Sequence, residues 1–168
     1  MWMRMLAEAA RRVRDFEKAP HNYWQRPLTD RFTRIKAALE TGKLPLDRSS
    51  EKAFVMSLLK ALDISPATQT LVYSTTSLQL SRISVRNPRA LYFNDHTYVG
   101  YVPRGQIEVI SMDPEMGAVF HIFNIPRTAE PPIIQRSKRC MNCHAGQDVG
   151  RVPVLLLKSV VSGPNGGS

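Results

Sequence analysis

Only two cysteines occur in a chain of 168 residues, and that scarcity excludes a disulfide-stapled scaffold. At this length one apolar core can hold a domain together without covalent help. Long apolar runs are missing too: none approaches the roughly 20 residues that a membrane-spanning helix needs, so no membrane span is expected. Acidic side chains are few, 14 against 23 lysines and arginines, which leaves a net charge of +9. That imbalance favours an acidic partner. No groove-reading motif or RNP-like aromatic set accompanies it, so no nucleic acid is expected as a partner. G-x-S-x-G, P-loop and H-E-x-x-H patterns are absent, as are internal repeats. With 43% apolar and 22% charged residues, the remaining composition is that of an ordinary globular protein.

What is there changes character along the chain. Residues 1–25 read as an N-terminal arm, with Leu6, Ala9, Ala10 and Val13 at helical spacing and Tyr23 and Trp24 as an aromatic anchor after Pro20. Residues 28–62 predict an antiparallel helix pair. In the first helix Leu28, Phe32, Ile35 and Leu39 share a face, with Thr29 as cap and Gly42 as stop. The second is capped by Ser49 or Ser50 and buries Phe54, Val55, Leu58, Leu59, Ala61 and Leu62.

From 69 to 124 β-branched and aromatic residues take over, predicting strands over 69–74, 90–93, 98–102, 107–112 and 118–123. The connections "NDHT", "PRGQ" and "DPEMG" are short and rich in turn residues, so the last four strands should form an antiparallel meander. "TTSLQLSRISVRNPR" reads as a long polar loop, and "NIPRTAEPPIIQR", with three prolines, as a stiff connector. It leads into residues 136–160. The expectation is a single α+β domain over 1–168: an N-terminal helix pair packed on an antiparallel β-meander, followed by a C-terminal C-x-x-C-H segment.

That segment, "RSKRCMNCHAGQDVG", holds both cysteines and a histidine within five residues. Cys140 and Cys143, three apart on one helical turn, are spaced to form thioethers with the two vinyl groups of one haem, and His144 is then the proximal iron ligand. A zinc site wants four ligands, and these residues supply three at most. A thioredoxin-type dithiol belongs to a βαβ unit, of which there is no sign. A non-haem zinc or dithiol protein is the remaining alternative.

"CMNCHAG" is similar to the haem-attachment segment of c-type cytochromes. "PRALYFNDHTYVGYVPRGQIEVISMDPEMGAVFHIF" followed by "RCMNCH" resembles a poorly characterised group of bacterial cytochrome c domain proteins with a single haem motif. The resemblance spans residues 20–163, and only the five-residue motif carries known chemistry. It implies one covalently attached haem c on Cys140, Cys143 and His144.

Haem attachment in bacteria takes place outside the cytoplasm, so a periplasmic or otherwise extracytoplasmic location is expected. The first residues lack a secretory pattern, and the expectation is therefore of a fragment or a misplaced start. Class I cytochromes carry the motif early, with a ligand-bearing helix after it, whereas here 24 residues follow His144. The distal iron ligand is open: His121 and His96 lead, followed by His21, Met112 and Met116. Arg136, Lys138, Arg139 and Arg151 are candidates to meet haem propionates or to steer an acidic redox partner. The expected function is that of a monohaem electron carrier rather than an enzyme, with a haem-based sensor or small-ligand module as the alternative.

Overall fold

The computed structural model describes residues 16–74 and 77–156. The helical run from Leu6 to Val13, and residues 157–160 of the motif segment, lie outside the described residues. A six-stranded antiparallel sheet dominates, its strands in sequence order: β1 Thr70–Val72, β2 Arg89–Phe93, β3 Thr97–Tyr101, β4 Gln106–Asp113, β5 Gly117–Asn124 and β6 Gln135–Arg136.

The two-residue period of β4 organises both faces. Ile107, Val109, Ser111 and Asp113 are buried while Gln106, Glu108, Ile110 and Met112 are half-covered. Register carries this alternation across the sheet. Val109 lies opposite Val99 and His121, and Ile107 opposite Tyr101 and Phe123. On the other face Ile110 lies opposite Tyr98 and Phe120, and Glu108 opposite Gly100 and Ile122.

Two helices cover the first face. α1 is Arg31–Glu40 and α2 is Glu51–Ala61. Phe32 and Leu39 of α1, with Phe54, Val55, Leu58 and Leu59 of α2, pack against Val99, Ile107, Val109 and Phe123. Each such side chain, fully withdrawn from water, contributes about 1.5–3 kcal/mol. The cap of α1 is Asp30, whose Oδ1 accepts the Thr33 N–H at 3.0 Å. Thr29, the expected cap, instead ties the helix to the sheet: its N–H and hydroxyl donate to Asp113 Oδ2 at 2.7 and 3.2 Å. Ser50 caps α2 by accepting the Ala53 N–H at 3.0 Å.

The expected α+β fold, an N-terminal helix pair packed on a meander with the C-x-x-C-H segment after it, is corrected. The molecule is mostly sheet, with six strands and only three short helices among the described residues, of 10, 11 and 4 residues. The helices are not an antiparallel pair joined face to face. The backbone of α1 lies against β4 and makes no comparably close approach to α2. Side chains of both helices enter one apolar cluster with the sheet, and the sheet supplies its floor.

The cysteine segment is no appendage either. β6 pairs with β5 through His121–Arg136 and Ile122–Gln135, and the Ser137 N–H donates to Phe120 O at 2.8 Å. The proline-rich stretch before it hid this strand. Its prolines stop at Pro132, and pairing starts three residues later, where backbone N–H groups are again free to join a ladder.

Candidate functional site

The chain after β6 turns onto the second face of the sheet. Cys140 precedes a single helical turn, α3 Met141–His144, closed by His144 N–H to Cys140 O and Ala145 N–H to Met141 O, both 3.0 Å. One turn has no stability of its own. Burial holds it: Met141 and Ala145 pack with Tyr23, Met116, Ala118 and Phe120 in a second apolar cluster.

Tyr23, fully buried, donates its hydroxyl to Ala118 O at 2.6 Å, and burial pushes its phenol up to about 12. Phe16 and Trp24 meet its ring edge-on, and the Arg136 guanidinium lies 4.0 Å above it. Lys138 Nζ sits 5.4 Å from the Trp24 ring. Of the four expected steering cations, Arg136 is therefore engaged with the aromatic pair, while Lys138 is exposed beside it. Arg139 and Arg151 are exposed.

The two thiols are free and differ in setting: Cys140 is partly buried and Cys143 exposed. Cys140 donates its S–H to Ser137 Oγ at 3.2 Å, and burial pushes its pKa up. A thiol kept protonated in this way is the opposite of the low-pKa cysteine that dithiol exchange requires.

His144 is fixed at both ends of its backbone and at its ring. Its carbonyl accepts the Val154 N–H at 3.0 Å, and its Nδ1 lies 3.0 Å from Val154 O. A carbonyl only accepts, so Nδ1 carries the proton and Nε2 presents its lone pair. Nε2 has no hydrogen-bond partner among the described residues. The ring packs on Phe120 at 4.5 Å. Burial, and secondarily the nearby Arg89 charge, lower its pKa despite the Val154 bond, favouring the neutral form that can ligate.

The same sheet face carries Leu91, Phe93, Tyr98, Ile110, Met112 and Ile122, none of them fully buried. Phe93, 38% exposed, stacks on Tyr98 with centroids 5.7 Å apart. Where the helix-covered face is closed, this one offers apolar surface beside the cysteine turn. Arg89 and Glu108 form its polar element, an ion pair at 3.0 Å, with Glu108 also accepting from Gln79 at 3.0 Å. Both charges act on the His144 ring.

The distal candidates scatter. His121 alternates with Phe120 on β5, so the sheet stands between its side chain and His144. It lies against Phe32 under α1, and burial drives its pKa down to about 4. His96 is exposed in the β2–β3 turn, where its carbonyl accepts the Met112 N–H at 2.8 Å. His21 is exposed, and Met116 is buried beside Met141. Met112, by register with Ile110 and Ala118, faces the side that carries the motif. Among the described residues no three of His, Cys, Asp and Glu converge as ligands of one ion do, and no helix is long and apolar enough to cross a membrane.

Val154, Phe120, Arg89 and Glu108 escaped sequence reasoning. The first acts through a backbone carbonyl, which no side-chain pattern reports. The others meet the motif only through sheet register, although strand alternation alone places Phe120 and His121 on opposite faces. Comparison with protein-family models, with curated proteins and with solved structures finds no match.

Proposed function

We propose that the chain binds one haem c covalently through Cys140 and Cys143, with His144 as proximal ligand, and serves as an extracytoplasmic electron carrier. The observation that carries this reading is the His144 ring. Its Nδ1–H donates to Val154 O and leaves Nε2 free, as a ligating imidazole requires. Cys140 caps the turn that presents it and Cys143 lies within that turn, and the half-covered apolar face is surface against which a porphyrin-sized group can pack. Bound there, a haem supplies one-electron redox chemistry. The chain holds the imidazole neutral and oriented, keeps the Cys140 thiol protonated before attachment, and sets the Arg89–Glu108 pair beside the ring. Its net positive charge suits an acidic redox partner.

The test is production in cells that carry haem-attachment machinery, with export directed by an added leader. An intact mass about 616 Da above that of the bare chain, lost in a Cys140→Ser, Cys143→Ser double variant, is the expected result. A folded, exported chain at its bare mass overturns the reading. A second reading, a sensor of small ligands, draws support from the placement of His121 behind the sheet, because no second histidine contacts His144 among the described residues. Rapid binding of carbon monoxide to the reduced, loaded protein selects the sensor, and refusal of it the carrier.

A further inference from the structure

At one end of the sheet a cleft of about 870 Å³ opens, sharing no lining residue with the cysteine motif. Four arginines from four separate segments line it: Arg48 before α2, Arg82 in the loop before β2, Arg104 in the β3–β4 turn and Arg127 after β5. The lining contains a single carboxylate, Glu51 in the first turn of α2. Its Oε2 accepts the Tyr101 hydroxyl at 2.7 Å and the Arg104 N–H at 2.9 Å. Burial pushes this carboxyl up, but those two donors and the charges of Arg127 and Arg104 hold it below the usual carboxylate range.

Glu51 thus stays ionised and already committed, and among the described residues none of the four guanidinium groups forms an ion pair. Arg48 is fixed by donating to Thr128 O at 2.9 Å. The N-terminal end of α2, with Ser50 and Glu51 in the wall, adds positive potential. All four arginines are exposed, so water screens their mutual repulsion, and an anion in the concavity they line gains attraction from several of them at once. Guanidinium forks match the paired oxygens of phosphate and carboxylate, and the volume lies in the range of small-molecule sites.

We propose that this cleft is a binding site for a small multivalent oxyanion, a polyphosphate or polycarboxylate, held by Arg48, Arg82, Arg104 and Arg127. The site uses none of Cys140, Cys143 and His144, although Gln79 in its lining also donates to Glu108 of the second sheet face.

Titration calorimetry of the full chain with inorganic pyrophosphate and with citrate, against chloride at matched ionic strength, tests it. Saturable binding of one probe per chain is expected, weakened at least tenfold in an Arg82→Gln, Arg127→Gln double variant and unchanged in Lys60→Gln on α2. Pyrophosphate alone binding assigns phosphate as the natural chemistry, and citrate alone assigns carboxylate. A thermal melt checks that the double variant folds, and Arg104→Gln, read the same way, serves if it does not. Neither probe binding above chloride, or folded variants binding as tightly as the parent, overturns the proposal.

Discussion

At the scale of single residues the buried His121 and the half-buried His144 behave differently because each sits on its own side of β5. His144 has a carbonyl to fix its proton, whereas the buried Nδ1 of His121 has no partner. A long-range ¹⁵N correlation spectrum of the haem-free chain at pH 7 should show the Nδ1–H tautomer at His144; an Nε2–H tautomer would contradict the assigned bond. His121 carries a linkage consequence. Its pKa falls from 6.5 in the unfolded chain to about 4 in the fold, so between these values the unfolded state takes up a proton that the folded state refuses. Stability is complete above pH 6.5 and is lost as the pH drops toward 4, by on the order of 3 kcal/mol. Urea midpoints of wild type and His121→Leu, compared at pH 7 and 4.5, should show a smaller acid loss in the variant.

At the scale of elements, the motif depends on contacts that its own four-residue helix cannot provide. The β4–β5 turn is one of them. Gly117 has φ +73°, and a Cβ there would meet Pro153 O at 2.9 Å, next to the Val154 carbonyl that orients His144. Gly117→Ala should cost about 1–3 kcal/mol through backbone strain and contact. It should also weaken the His144–Val154 bond, seen as faster exchange of the Val154 amide. Asp113, at the same turn, accepts from Thr29 with one oxygen and from the Glu115 and Met116 N–H groups, both at 2.9 Å, with the other. Asp113→Ala leaves those donors unpaired and should lower stability by about 3 kcal/mol, read from the denaturant midpoint. Both residues stand in the turn "DPEMG". The hairpin was legible there, but its second duty, anchoring α1 on one side and the motif segment on the other, was not.

At the scale of the whole molecule, a single sheet separates two tasks, with helices sealing one face and the cysteine turn occupying the other. On the proposed function, the charge of +9 predicts that association of the haem-loaded protein with an acidic redox partner slows steeply as salt rises from about 20 to about 200 mM, because screening shortens the reach of that field. Stopped-flow electron transfer measures it, and a rate indifferent to salt would remove charge steering from the account. The strand-rich span from 90 to 124, its turns and the spacing of Cys140, Cys143 and His144 were readable directly, since period-two alternation, turn residues and covalent spacing are local properties. The sequence by itself determined that one stretch holds every thiol and presents an imidazole, and that most of the strands form a meander. Only the tertiary structure decided that α1 lies against β4, that β6 draws the motif onto the opposite face, and that His121 is walled off from His144. These outcomes depend on sheet register and on which apolar surfaces meet, and residues distant along the chain, such as Thr29 with Asp113 or Gly117 with Pro153, settle them together.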